Sequence, residues 1–472
     1  MKLVNIMFFA LLPFHISCQQ GASQTDPFSA LPSIAGYQLI EDLNEYRKEM
    51  ETNHPGLFWY QTRNEWDSLF HETEKSLGNG TSLLGFYKNL ASINANIRCG
   101  HTRISLGRDG FDDWSDTLKI FPLTVRLVEG KLLVKDKLSE IELIKKGDEI
   151  LDINGIASED IVNQMLPHVG MDGFNQTGKY RYIENRFPLL YAALINPVSS
   201  TFVIRIQPGN SANEIQINVE GTSFENYEAN WSSNKEKMLE FKELDNMEET
   251  YFMRIKTFSS NWMNSEGYNY FKFLKESFKQ LKEENGANLI LDLRGNGGGD
   301  DGNGSKLMSY LVDESFGYYK SIEVKPAYDG WGDIEQREDG KYYVTAHQDL
   351  YGHEPSENQF PGNVFILIDG GSFSATSEFA ALIHDAGRAT FIGEETGGGY
   401  YGNTSGNRKQ IELANTGISV SIPYWKYLVD IEGDDFYGKG VIPDHQTSTT
   451  SEDFINNRDT ALEFTKTLIN SN

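Results

Sequence analysis

Cysteine is nearly absent from this chain. Only Cys18 and Cys99 occur among 472 residues, which excludes a disulfide framework and leaves stability to packed cores. Basic charge is short as well. Lys and Arg number 42 against 68 Asp and Glu, a formal net charge of −26. That balance excludes nucleic acid as the main partner, because phosphate binding needs a basic face. After the first residues no apolar run is long enough to cross a bilayer as a helix. The nine histidines form no metal-spaced pair on one helix face, and His-Glu-x-x-His does not occur, so a zinc site has no support. Nucleotide fingerprints are missing too, since Gly304-Ser305-Lys306 has the wrong order for a phosphate-loop lysine. No metal and no cofactor are expected.

What is present is material for several cores. Hydrophobic residues make up 39% and aromatic residues 12%, enough for packed domains, and the length suits more than one. The first 18 residues hold Lys2, an apolar run from Ile6 to Phe14, and Ser17 before Cys18. They read as a secretory signal. Ser17-Cys18 resembles a lipoprotein processing site, at which the cysteine becomes the lipidated terminus. Export across the cytoplasmic membrane to the periplasm or cell envelope is the expectation, with membrane contact only through an anchor at Cys18.

Residues 19–35 are rich in Gln, Ser, Gly and Pro and read as a tether. Residues 36–106 carry apolar positions at helical spacing, among them Leu39, Leu43, Tyr46 and Met50, and predict a helical cap domain. His54-Pro55-Gly56 ends its first helix, and Asn64 is the expected cap of the second. Residues 111–220 look β-rich, with a hairpin turning at Glu129-Gly130 and an Asn154-Gly155 turn before a helix that begins at Ser158. Residues 221–246 are polar and read as a linker. From residue 247 to 472 strands alternate with helices, the pattern of a layered α/β domain.

Three places carry chemistry. Val364-Phe365-Ile366-Leu367-Ile368 feeds Asp369-Gly370-Gly371-Ser372-Phe373-Ser374, which puts a hydroxyl at a strand-to-helix junction. Unpaired N–H groups there can hold an oxyanion. Ser372 and Ser377 are rival hydroxyls, Ser377 better suited to packing or capping. The α/β-hydrolase elbow needs glycine two residues on either side of the serine; Ser372 and Thr376 stand there instead. Asp292-Leu293-Arg294-Gly295-Asn296-Gly297-Gly298-Gly299 runs a strand into a glycine-rich loop, either a tight turn or half of an oxyanion hole. Cys99-Gly100-His101-Thr102 offers a histidine, the usual base for a serine, although a lone histidine is more often structural.

Together with His384-Asp385-Ala386-Gly387-Arg388-Ala389, Ile392-Gly393-Glu394-Glu395-Thr396-Gly397-Gly398 and Gly440-Val441-Ile442-Pro443-Asp444, these pieces resemble the C-terminal processing (tail-specific) serine peptidase family, in its tricorn-like branch. Lys146-Gly147-Asp148-Glu149-Ile150-Leu151-Asp152-Ile153-Asn154-Gly155 is similar to the second half of a PDZ domain. The resemblance implies an α/β multidomain fold: a helical cap, a PDZ-like β-rich module and a ClpP/crotonase-like α/β core. It implies Ser374 as nucleophile and His101 as general base. The oxyanion donors it implies are Ala375 with Gly297 or Gly298, and the orienting carboxylate is Glu432 or Asp435. The lysine base of the bacterial processing enzymes is replaced by Gly399, and the serine that precedes the histidine in the tricorn-like branch by Gly100. Asp385 and Arg388 match family positions and are expected to be scaffold partners of each other. The implied substrate is a peptide or unfolded protein. Rival readings are a Ser/Lys peptidase using Lys409 or Lys439, an inactive peptide-binding protein on the same scaffold, and an acyl-thioester enzyme.

Overall fold

A computed structural model describes residues 27–106, 119–209, 211, 213–233, 237–330 and 332–471. The signal segment with Cys18, the first part of the tether and the start of the β-rich region at residue 111 lie outside the described residues. Among the described residues no helix is long and apolar enough to cross a membrane.

Three helices, Gly36–Asn53, Arg63–Leu77 and Leu83–Asn96, form the first layer. Leu39, Leu43, Tyr46 and Met50 recur at three- and four-residue spacing and are buried along one stripe. The second helix starts earlier than Asn64 predicts. Thr62 caps it, its hydroxyl accepting from the Glu65 N–H while the Glu65 carboxylate accepts from the Thr62 N–H. This helical core is not self-contained. Leu413, Ile418, Val420 and Ile422, some three hundred residues later in the chain, pack into it.

The β-rich module is an antiparallel sheet ordered Leu123–Val128, Lys131–Lys137, Glu149–Ile153, Thr201–Gln207, Ile215–Glu220. Glu129-Gly130 and Asn154-Gly155 turn with positive φ at both residues, the geometry those dipeptides favour. Helices Ser158–Met165 and Thr177–Leu190 belong to the same module. The second of these is absent from the sequence reading; Pro188 inside it hid the periodicity.

The third layer is a six-stranded sheet ordered Leu239–Glu243, Thr250–Ile255, Asn288–Asp292, Asn363–Ile368, Thr390–Gly393, His445–Gln446. Its first pair is antiparallel and the rest are parallel. Leu289-Ile290-Leu291 and Val364 to Ile368 are buried throughout, as parallel strands covered on both faces require. The expected linker 221–246 is corrected here. It contains helix Phe224–Ser233 and the edge strand Leu239–Glu243, whose Glu240 and Lys242 make an edge read as polar chain. Helix Tyr270–Glu283 lies between two of these strands, capped by the Asn269 side chain. A second sheet, Ile334–Gln336, Tyr342–Val344, Tyr319–Val324, Ser419–Val429, Thr404–Glu412, is interleaved with the first in sequence, and Arg103–Ser105 pairs with Ser419–Val429. The strand that follows His101 is thereby hydrogen-bonded into the C-terminal half of the chain.

Candidate active site

Register brings the two loops of the α/β sheet together. Leu291 lies opposite Ile366 and Asp292 opposite Leu367 in adjacent parallel strands, so both strands deliver their loops to the same carboxyl edge, where α/β sheets bind ligands. Asp369 ties the loops, its Oδ1 accepting from the N–H groups of Gly295 (2.8 Å) and Gly371 (2.9 Å). The Phe373 N–H donates to the Asn296 carbonyl at 3.0 Å. Asp292 anchors the glycine-rich loop from below. Burial alone would push its carboxyl up, but the Arg294 and Arg254 guanidinium groups beside it hold it down at about 2.

Ser374 caps the helix Ala375–Asp385 with φ 57° and ψ −133°. A serine reaches this left-handed region only under strain, of order 1–3 kcal/mol. The rival hydroxyls are spent on structure: Ser372 Oγ donates to the Leu293 carbonyl at 2.9 Å, and Ser377 Oγ to the Ser372 carbonyl at 2.8 Å.

His101 arrives on the turn between Leu83–Asn96 and Arg103–Ser105. Its Nε2 lies 2.9 Å from Ser374 Oγ, across 273 residues of sequence. The turn is held on all sides. Cys99 Sγ donates to the Thr404 carbonyl, His54 Nε2 lies 2.8 Å from Thr102 Oγ1, and Asn94 Nδ2 donates to the Thr102 carbonyl. Phe373 stacks on the imidazole at 4.6 Å between centroids. The same ring explains Gly100: a Cβ there would stand 2.7 Å from Phe373 Cζ. Burial, with Arg408 and Arg103 adding to it, holds the His101 pKa well below the ordinary 6.5. The ring is therefore neutral near pH 7 and able to take a proton.

The oxyanion donors divide. Gly298 packs so closely that a Cβ on it would lie 2.7 Å from Ser374 Cβ, yet its N–H already donates to Asn296 Oδ1 at 3.0 Å. Gly297 and Ala375 are left as the pair with free N–H groups among the described residues.

The expected orienting carboxylate is corrected. Glu432 is 85% exposed and ion-pairs with Lys320, and Asp435 is exposed on the same loop. Neither bonds to His101, whose Nδ1 is buried without a hydrogen-bond partner. The family resemblance points to this stretch, but the loop carries both side chains into solvent. Glu378, a turn beyond Ser374, is closed off by the Tyr319 hydroxyl and Asn403 Nδ2. Neither rival lysine reaches the serine: Lys409 pairs with Glu49 at 2.8 Å and Lys439 is exposed. At Gly399 an added Cβ would meet the Gly402 carbonyl oxygen at 2.6 Å, so this loop has no room for a lysine. Arg388 is scaffold, as expected, but its partners are the carbonyls of Leu311, Phe360 and Gly362, while Asp385 is exposed.

Sequence reasoning missed Phe373, Asn296 and Asp369 as organisers, and it missed Asp172. One ring nitrogen of His101, Cys99 Sγ and a carboxylate oxygen of Asp172 lie within 4.8 Å of one another. As a metal set this trio is poor. Burial pushes the Cys99 thiol up to about 12, and the Asp172 oxygens already accept backbone N–H groups. A cavity of about 390 Å³ opens beyond the glycine-rich loop, between Asp300, Ser305, Gln348 and His353; neither Ser374 nor His101 lines it.

Residues 250–447 match the family model described as Peptidase family S41. The α/β region 250–447 is the part of the chain that matches the S41 peptidases. The chain is accordingly a serine-type peptidase, a hydrolase. Its fold is similar to that of mature CPAF complexed with lactacystin, over 92% of this chain and 97% of that one, at 15% identity and a TM-score of 0.69. A mutant of CPAF aligns over 90% and 95% at 14% identity with a TM-score of 0.65. The photosystem II D1 C-terminal processing protease aligns over 87% of this chain and 93% of that one at 16% identity, with a TM-score of 0.42. At these identities the first two establish the shared fold, and the third is too distant to add to it.

Proposed function

We propose that the protein hydrolyses peptide bonds with Ser374 as nucleophile and His101 as general base. The observation that carries this reading is the 2.9 Å contact between His101 Nε2 and Ser374 Oγ. In this scheme Oγ attacks the scissile carbonyl carbon while Nε2 takes the hydroxyl proton. The tetrahedral oxyanion is held by the N–H groups of Ala375 and Gly297, each such donor worth about 2.7–4 kcal/mol. The imidazolium then gives its proton to the leaving amine, and the C–N bond breaks. Water, activated by the same nitrogen, releases the acyl group. Strain at Ser374 supports the scheme, because backbone cost persists where it serves a presented side chain.

The base works without a bonded carboxylate, a dyad in place of the family's expected triad. The PDZ-like reading of the β-rich module is part of the proposal, supported by the Gly147-Asp148 turn, the following strand and helix Ser158–Met165. Export with lipidation at Cys18 is also proposed, and palmitate labelling lost in Cys18→Ala tests it. The activity itself is tested by a peptide library incubated with wild type and Ser374→Ala and read by mass spectrometry. Cleavage by wild type alone is expected; equal products from both enzymes, or none from either, would count against it.

A further inference from the structure

The dyad leaves one question open in chemical terms. An imidazolium forms in a buried site whose Nδ1 has no acceptor, and a buried charge without a partner is costly. We propose that Asp172 is the positioning residue of this site: from the middle module it locks the His101 turn against the serine loop, and its carboxylate balances the imidazolium through space. The proposal rests on the Ser374–His101 reading above.

The geometry is specific. Asp172 is 3% exposed. Oδ1 accepts the N–H of Gly100, the residue before His101, at 2.8 Å, and Oδ2 accepts the N–H of Gly399 at 3.4 Å. Gly399 follows Gly398, whose N–H donates to Ser377 Oγ on the helix that Ser374 begins. One side chain thus spans the base-bearing turn and the loop packed on the nucleophile's helix. The flanking backbone repeats the pattern. Gly173 N–H donates to the Arg98 carbonyl (3.0 Å), Phe174 N–H to the Gly438 carbonyl (2.7 Å) and Asn175 Nδ2 to the Thr396 carbonyl (2.8 Å).

The ionisable groups facing Asp172 are few. Tyr60, Arg98 and Cys99 line the small gap beside it, and His101 lies within 4.8 Å. Burial holds Tyr60 and Cys99 protonated, far above neutrality. Arg98 is directed elsewhere, donating to the Tyr60 carbonyl and stacking on Phe174. Burial pushes Asp172 up to about 7 against the pull of its two N–H bonds. It is therefore neutral in mild acid and ionised in mild base, while His101 stays neutral across that range. Ionised Asp172 favours the imidazolium, so the rate rises with pH through about 7.

The test measures the second-order rate of Ser374 labelling by a fluorophosphonate as a function of pH, using the full mature chain. Wild type should show a rising limb centred near the Asp172 pKa. Asp172→Asn should lack that limb and label roughly ten- to a hundredfold more slowly at about pH 8, the scale of a unit charge several ångströms away in a partly screened site. Asp172→Glu should restore part of the limb. Ser374→Ala should not label at all; labelling there would sink the underlying serine reading. A silent Ser374→Ala with an unchanged limb in Asp172→Asn would overturn the Asp172 proposal alone. Because Asp172→Asn risks misfolding, the wild-type profile stands as an independent check: a flat profile through neutrality overturns the proposal without any variant.

Discussion

Gly100→Ala should damage catalysis through Phe373, and the size of the effect follows from two distances. An alanine Cβ at position 100 would sit 2.7 Å from Phe373 Cζ and 3.0 Å from Cε2, with the next neighbour at 3.5 Å. Ordinary carbon contacts lie at about 3.5–4.0 Å, so the ring must retreat by about 1 Å. That ring is stacked on His101, and the Phe373 backbone N–H is fixed to the Asn296 carbonyl. His101 must follow the ring or lose its support, and a misplacement of about 1 Å can cost up to 10²-fold in rate. The expected loss in kcat/KM is about 10- to 100-fold, or roughly 1.4–2.8 kcal/mol, with KM nearly unchanged. The double variant Gly100→Ala/Phe373→Leu removes the clash and should recover most of that loss, giving a coupling energy of at least about 1 kcal/mol. Steady-state kinetics on a cleaved peptide for the four members of the cycle decides it. Wild-type rates in Gly100→Ala, or strictly additive effects in the double variant, would refute the steric account.

Other consequences are as direct. His101→Ala should lower kcat by about 10²–10⁴-fold, the range for loss of a general base. Because the His101 pKa is depressed in the folded chain, its contribution to stability is present above the unfolded value of about 6.5 and is lost as pH falls, which urea unfolding of wild type and His101→Gln at several pH values would show as a converging pair. Asp292 is held at about 2 against an ordinary 3.8, so it stabilises the fold above the ordinary value by about 2 kcal/mol and loses this as pH falls through 2; Asp292→Asn should flatten the acid limb of a stability–pH curve. Gly399→Lys should not rescue His101→Ala, since its Cβ meets a carbonyl oxygen; recovery of peptidase activity in that double variant would mean that the loop can open for a lysine base.

Local signals in the chain were good guides where structure is local. The buried parallel strands, the Asn-Gly and Glu-Gly turns and the first helix follow from apolar runs and turn chemistry alone. Elements whose burial depends on distant partners were not readable. The edge strand Leu239–Glu243 looked like linker because one of its faces meets solvent, and the helical core could not announce that Val420 and Ile422 complete it. At the site, Ser374 was legible as a hydroxyl at a strand–helix junction. His101 needed the family resemblance, since nothing near position 101 points to position 374. The orienter failed for a related reason: a matching stretch in the family pattern says nothing about which way a polar loop turns its carboxylates. Asp172 lies in a short turn with no motif around it, and only the fold brings it to Gly100 and Gly399.

The central claim is that Ser374 is activated by His101. Mapping a fluorophosphonate adduct by mass spectrometry, with its rate measured for wild type and His101→Ala, tests this most directly. The account predicts modification at Ser374 and a rate at least about 10²-fold lower without the imidazole. An adduct at another residue, or labelling of Ser374 in His101→Ala at the wild-type rate, would contradict it.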